Sequence, residues 1–394
     1  MKNHIADRMG LMHTESAFAI MAEANRLAAQ GRSVIHCEIG QPDFRTPAHI
    51  VEAGVAALRD GYTGYTPTAG YPELREAIAE DASRRKRIKA SADEVVVVPG
   101  GKPIMFFTML MLINPGDEVI YPNPGFPIYE SCIKFTGGRP VPMPLLDTND
   151  FRVDLDLFKK SITDKTKLVI LNNPSNPTGA LFEDSDIEAM AEILKDRPDI
   201  YILADEIYDQ LVFEGRVTSI ASMPGFKDRT IILDGFSKTY AMTGWRLGYG
   251  IMNTELADQV TLLMANSNSC AAAFTQRAAL TALKGPQDSV TEMREAFRER
   301  GQYVVNALNQ IDGISCRMAR GAFYAFPNIE SFGMDSKSFC QRLLQEEGVA
   351  AAWGTSFGSY GEGHFRISFA NSLDNLKIAV ERIARFAERL QKER

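Results

Sequence analysis

The chain has 394 residues, of which 45% are hydrophobic and 24% charged, with a formal net charge of -7 at pH 7. That length exceeds one ordinary hydrophobic core and predicts two domains, and the composition is that of a globular protein. The acidic balance argues against a general binder of nucleic acid or of anionic membranes.

The opening residues, MKNHIADRMG, lack the apolar core of a secretory signal. The longest apolar run, PIMFFTMLMLI from Pro103, is too short to span a bilayer and reads as a buried helix, so a cytoplasmic location is expected. A helical pattern from Ser16 to Gln30 ends at Gly31, a residue suited to a left-handed cap. SVIHCEIGQPDF then reads as a short strand entering a Gly-Gln-Pro-Asp loop. A helix from about His49 to Arg59 leads to the turn-rich GYTGYTPTAGY. The basic run RRKRIK, from Arg84 to Lys89, closes the next helix-like stretch and reads as a solvated helix end.

Beyond it, strand-like and helix-like segments alternate. EVVVVPG precedes the apolar helix, and GDEVIYP precedes the Phe126 region. KLVILNNPSNPTG leads to a helix from about Asp184 to Lys195, and DIYILADEIYD and TIILDGFSK complete the series. Short Val/Ile-rich runs without polar alternation suit strands covered on both faces, which predicts a mainly parallel sheet. Past about Gly285 a long charged helix, GAFYAFPNI, HFRISFA and a final amphipathic helix predict an α+β unit joined by the N-terminal segment.

The five cysteines, Cys37, Cys132, Cys270, Cys316 and Cys340, are scattered without a C-x-x-C pair, which fits reduced thiols. His4, His13, His36, His49 and His364 form no H-E-x-x-H pattern, and no metal is expected.

Ligands of open α/β sheets collect outside the carboxyl ends of the strands, and four such ends carry unusual chemistry. Gly100-Gly101-Lys102 leads into a helix start, where backbone N–H groups and the helix dipole suit a phosphate. It is neither a Walker loop, since position 96 is valine, nor G-x-G-x-x-G, which disfavours a nicotinamide dehydrogenase; a tight βα turn explains it equally well. Asn172 to Gly179, with its Pro steps, can present amide side chains to a ligand or be a plain loop. Asp205 ends a buried strand and needs a positive partner, either a ligand or a neighbouring arginine, and Tyr208 follows three residues on. Last comes FSKTYAMTGWRLGY, where Ser237, Lys238 and Arg246 offer a hydroxyl, an amine for Schiff-base chemistry and a fork for a dianion. A phosphate, an aromatic nitrogen, a phenolic oxygen and an aldehyde would satisfy these seats together, and pyridoxal 5′-phosphate (PLP) has all four.

In YTPTAGYPELREAI, NPSNPTG, ADEIYD and SKTYAMTGWRLGY, in that order, the chain resembles the class I/II aminotransferases related to aspartate aminotransferase, of fold type I. The likeness runs nearly full length, from GQPDF to HFRISFA. It implies an α/β fold with a large PLP-binding domain, residues 45–285, built on a mostly parallel seven-stranded sheet between helices. A smaller α+β domain would comprise residues 1–44 and 286–394.

The resemblance further implies that Lys238 carries PLP as a Schiff base and shuttles the proton. Asp205 would pair with the pyridine nitrogen, by about 4 kcal/mol at roughly 4 Å and an effective dielectric near 20, while Tyr208 and Asn176 bond the 3′-oxygen. Ser237, Arg246 and the backbone of Gly101 and Lys102 would hold the phosphate, and Phe126 would stack on the ring. Tyr65 would reach the phosphate of a neighbouring subunit, which implies a homodimer with shared sites. Arg366 would clamp the substrate carboxylate, with Gly40 and Asn176 nearby; by its own pattern Arg366 reads as a surface strand residue.

The helix PIMFFTMLML carries no charge, and the N-terminal helix offers Glu15, Ser16 and Phe18 rather than a cation, so a neutral, apolar or aromatic amino donor is expected. The expected reaction is ping-pong amino transfer to a 2-oxo acid. A C–S lyase or related synthase would share every cofactor contact. A non-catalytic PLP-binding effector module is the alternative of another class, and its usual winged-helix segment finds no room before GQPDF.

Overall fold

The computed structural model describes residues 5–12 and 16–393. Helix α1 (Ser16–Ala29) and the two-residue strand β1 (Ile35–His36) come first, then α2 (Ala48–Arg59) and α3 (Pro72–Lys86). The alternating stretch follows as β2 (Val95–Val98), α4 (Lys102–Leu112), β3 (Glu118–Asn123), α5 (Ile128–Phe135) and β4 (Arg139–Pro144). It continues through α6 (Leu155–Ser161), β5 (Thr166–Asn172), α7 (Asp184–Leu194), β6 (Tyr201–Asp205), β7 (Thr230–Gly235) and β8 (Gly248–Ile251).

Strands β2 to β8 form one seven-stranded sheet in the order β2-β8-β7-β6-β5-β3-β4. Only β8 runs antiparallel to its neighbours, so the sheet is mostly parallel, as expected. Successive side chains of a strand point to opposite faces. Val96, Val98, Leu168, Ile170, Leu203 and Leu233 accordingly cluster with Ile104 of α4 and Ile133 of α5. Val95, Val97, Val169, Leu171, Ile202 and Ile232 face the other way, onto Ile78 of α3 and Phe182. Burial on both faces is why these strands show no polar alternation. Register aligns the functional ends, with Asn172 of β5 opposite Asp205 of β6, and Asp205 opposite Leu233 of β7.

Helices α8 (Thr254–Ser267), α9 (Ala273–Lys284) and the long α10 (Asp288–Leu308) lead into the α+β part. There β9 (Tyr324–Ala325), α11 (Ser336–Arg342), β10 (Val349–Ala350), β11 (Ala352–Trp353), β12 (Phe365–Ser368) and α12 (Leu373–Lys392) follow. Strand β1 pairs parallel with β10 through Ile35 and Val349, which stitches the N-terminal segment to the C-terminal one. Strands β11, β12 and β9 form a small antiparallel sheet. Along α12, Leu376, Ala379, Val380, Ile383, Phe386, Ala387 and Leu390 are buried at helical spacing, and Ser372 caps its start by accepting the Asn375 N–H. Among the described residues no helix is long and apolar enough to cross a membrane.

The basic run departs from expectation. Arg84, Arg87 and Lys89 are exposed, but Lys86 is only 4% exposed. Leu74, Ile78, Ala82 and Lys86 recur every four residues and share one buried face of α3. Helical phase therefore turns the Lys86 ammonium inward, where Glu206, Asp209 and Asp234 receive it.

Candidate active site

At the carboxyl edge of the sheet lies a cavity of about 650 Å³. Every candidate residue from the sequence lines it except Tyr65: Gly40, Gly101, Lys102, Phe126, Asn176, Asp205, Tyr208, Ser237, Lys238, Arg246 and Arg366. Tyr65 is 91% exposed and lies instead in a separate shallow depression with Leu58, Cys270 and Phe274.

Asp205 is the last residue of β6, buried between two neighbouring strands. Its Oδ2 accepts the Tyr129 hydroxyl at 2.6 Å and its Oδ1 accepts the Ile207 N–H at 3.3 Å. Among the described residues no lysine or arginine forms an ion pair with this carboxyl, so the arginine partner considered from sequence is not there. Burial pushes its pKa up to about 6, while the Tyr129 bond pulls the other way. The two phenols nearby, Tyr129 and Tyr208, are held well above their ordinary pKa by burial and remain proton donors.

The loop after β5 is tied to Asp205 from behind. Asn172 donates from Nδ2 to the Asp205 carbonyl at 3.1 Å and accepts the Asn176 N–H at 2.8 Å. The peptide bonds before Pro174 and Pro177 are cis. Asn176 in turn offers its Oδ1 to Arg366 Nη1 at 2.9 Å.

Arg366, on β12, is 4% exposed rather than a surface residue. β12 is the middle strand of its small sheet, and the face that carries Arg366 meets Asn176, in the loop after β5. The guanidinium also donates to the Glu38 carbonyl and lies 4.5 Å from the Tyr324 ring centre and 4.8 Å from that of Phe357. Its Nε is buried without a partner, and among the described residues no carboxylate pairs with it. Burying a guanidinium without a carboxylate is unfavourable unless an anion compensates it.

Lys238 follows β7 and donates from Nζ to the carbonyl of Gly40. Gly40 has no room for a side chain, because a Cβ there would lie 2.2 Å from the Tyr324 hydroxyl. That hydroxyl shares a 2.8 Å hydrogen bond with Tyr208. On the other side, Arg246 accommodates φ +53° just before β8 and bonds the Thr243 carbonyl from Nη1 at 2.8 Å. Its Nη2 occupies the space of a Cβ on Gly100, whose φ of +81° also requires glycine. The glycine turn, the start of α4 and the arginine thus form a cradle for an anion.

Two corrections concern the cavity's walls. Helix α4 begins at Lys102, one residue before the uncharged stretch, and the Lys102 Nζ lies 5.5 Å from the Phe126 ring centre. A cation therefore does stand on the first turn of that helix. Of the N-terminal residues considered, Glu15, Ser16 and Phe18, Phe18 lines the cavity beside Ala17, whereas Glu15 lies outside the described residues, as do His4 and His13.

Sequence reasoning missed Tyr129, Tyr324, Asn172 and Gly100 as individual participants. Tyr129 was legible as the residue one helical turn beyond Phe126, and Tyr324 as the tyrosine of GAFYAFPNI.

Comparison with known proteins agrees with this geometry. Residues 32–383 match the family model Aminotransferase class I and II. The chain is 40% identical to the putative aminotransferase YugH of Bacillus subtilis (strain 168), over 91% of this chain and 93% of that protein. It is 38% identical to the aspartate aminotransferase of the same organism, over 98% and 99%. Among solved structures, the aspartate aminotransferase of Rhizobium meliloti superposes with a TM-score of 0.94 at 36% identity, covering 98% of this chain and 99% of that one. An alanine aminotransferase from Pyrococcus furiosus gives 0.91 at 34% identity, covering 98% and 100%. With a family match of this extent, the chain belongs to the class I and II aminotransferases and is a transferase of amino groups.

Proposed function

We propose that this enzyme carries PLP, the cofactor its family uses, on Lys238, and moves the amino group of an L-amino acid to a 2-oxo acid in a ping-pong exchange. One observation carries the reading: Asp205, a buried carboxyl without a cation, and Arg366, a buried guanidinium without a carboxylate among the described residues, line the same cavity as Lys238. Each is unfavourable to bury alone, and a cationic ring nitrogen with a substrate carboxylate would satisfy both.

Bound there, PLP supplies an aldehyde for amines and an electron-accepting ring. Asp205, oriented by Tyr129, would hold the ring-nitrogen proton. Tyr208 and Asn176, which line the cavity, would offer hydrogen bonds to the ring oxygen, and Phe126 would pack against the ring. Ser237, Arg246 and the backbone N–H groups of Gly101 and Lys102 would take the phosphate. Arg366, with Gly40 and Asn176 beside it, orients the amino acid by its α-carboxylate, and Lys238 moves the proton at the substrate Cα.

A neutral donor is the first reading of specificity, supported by the apolar wall of Ala17, Phe18, Ile39 and Met105. Lys102 favours a second reading, a dicarboxylic donor, because this cation lines the same cavity, its ammonium 5.5 Å from the Phe126 ring centre. A kcat/KM for aspartate far above those for leucine, methionine and phenylalanine would select the second.

The exposed Tyr65 supports a homodimer in which this tyrosine serves the other copy's phosphate. The cluster joining Ile35 and Cys37 to Phe297, Phe365, Ile383 and Phe386 supports a division into residues 45–285 and 1–44 with 286–394.

The deciding experiment is the visible spectrum of the purified protein titrated with single amino acids in the absence of oxo acid. A yellow band that fades with an amino acid and returns with an oxo acid is expected. A yellow protein that never bleaches, and instead releases pyruvate and ammonia from a thioether amino acid, would move the reading to a C–S lyase.

A further inference from the structure

The last turn of α3 holds a charge cluster outside the cavity and unused by the chemistry above. Lys86 Nζ donates to Glu206 Oε2 at 2.7 Å, bonds Asp209 and lies 3.1 Å from Asp234 Oδ2. Glu206 directly follows Asp205, and Asp209 directly follows Tyr208. Asp234 sits on β7 just ahead of Ser237 and Lys238. One ammonium therefore ties together the two loops that carry the acid, the phenol, the hydroxyl and the lysine of the site.

We infer that Lys86 is a positioning residue of the active site, which clamps the β6 and β7 loops in register and neutralises the acids behind Asp205. This rests on the PLP reading above and deepens it. The groups that face Lys86 support it from every side. On α3 itself stand Asp81 and Arg85, the latter bonded to Asp81, Asp209, Asp234 and Tyr249. From β8 the Tyr249 hydroxyl donates to Asp234 Oδ2 at 3.0 Å, and from the turn after β7 Tyr240 lies within the same field. Four acids thus face two cations, Arg85 and Lys86, and the balance depends on both. Glu206 and Asp234 already push the Asp205 carboxyl upward, so the cluster's charge is felt at the site. Asp209 keeps one buried oxygen, Oδ1, without a partner, and cannot absorb the loss of a cation.

The test uses the holoenzyme and reads the pH midpoint of the bound cofactor's visible band, which a purely structural brace would not move. Lys86→Met leaves Glu206, Asp209 and Asp234 less compensated and favours protonated, cationic forms at the site. Its midpoint is expected to rise by about half a pH unit or more. kcat should fall about tenfold, with KM changed less than about threefold. Glu206→Gln removes an acid instead and should shift the midpoint down. If Lys86→Met fails to fold, the Glu206→Gln shift decides. Midpoints within about 0.2 units of wild type in each variant that folds, with only the melting temperature lowered, would overturn the inference. A wild-type protein without any cofactor band would overturn the PLP reading instead, so the two failures are distinguishable.

Discussion

The Tyr129 hydroxyl, on α5, donates to Oδ2 of Asp205, on β6, at 2.6 Å across 76 residues of sequence. Both groups are buried, and the bond favours the ionised carboxylate that a ring cation would need. A hydrogen bond to a charged group contributes about 1.5–3 kcal/mol. Tyr129→Phe should therefore lower kcat/KM by about 10- to 100-fold for every donor alike. Steady-state kinetics with two unlike donors checks this, and an unchanged value would show the bond to be idle in catalysis.

Asp205 also sets a pH dependence of the cofactor-free protein. Burial raises its pKa from 3.8 to about 6 in the folded state. Between those values the folded chain holds a proton that the unfolded chain has released, so stability falls as pH rises. Two units correspond to about 3 kcal/mol at most, present below about pH 4 and lost by about pH 6. Urea unfolding of the cofactor-free protein at pH 4.5 and 6.5, beside Asp205→Asn, measures it. Equal slopes in the two proteins would refute the assignment. Affinity for PLP should run the opposite way, rising as Asp205 ionises.

Arg366 has neutral partners in Asn176 and the Glu38 carbonyl, and its buried Nε has no hydrogen-bond partner among the described residues. Arg366→Lys cannot reproduce a forked, two-bond grip on a carboxylate. An expected loss of about 3–4 kcal/mol puts kcat/KM down by roughly 10²- to 10³-fold for all amino acids, largely through KM. Retained affinity for amino acids in a spectral titration would exclude Arg366 as the carboxylate site.

Gly100 combines a φ of +81° with contact against Arg246, whereas Gly31 has a similar φ of +85° and open space around it. Gly31→Ala should lose only the conformational term, about 1 kcal/mol. Gly100→Ala must in addition displace the Arg246 guanidinium, and PLP affinity should weaken at least tenfold. Denaturation of both variants, with a PLP titration of each, separates backbone strain from damage to the cradle.

Local sequence was enough for much of the architecture. The unalternating Val/Ile runs announced strands buried on both faces, and Asp205, Lys238 and the glycine turn were recognisable because they interrupt strand ends with chemistry the core does not need. Periodicity reports which residues share a face, since that depends on bonds within one element. It does not report what the face meets.

What the face meets was decided by tertiary structure alone. Helical phase put Lys86 on the buried side of α3, but its acids come from β7 and the loop after β6, brought together by sheet order. Arg366 reads as a surface residue until the small sheet turns it onto Asn176, 190 positions away. Tyr129 is a helix residue until the packing of α5 against β3 and β4 aims it at Asp205. In each instance a buried polar group needs a partner, and the partner stands on another element that local pattern cannot specify.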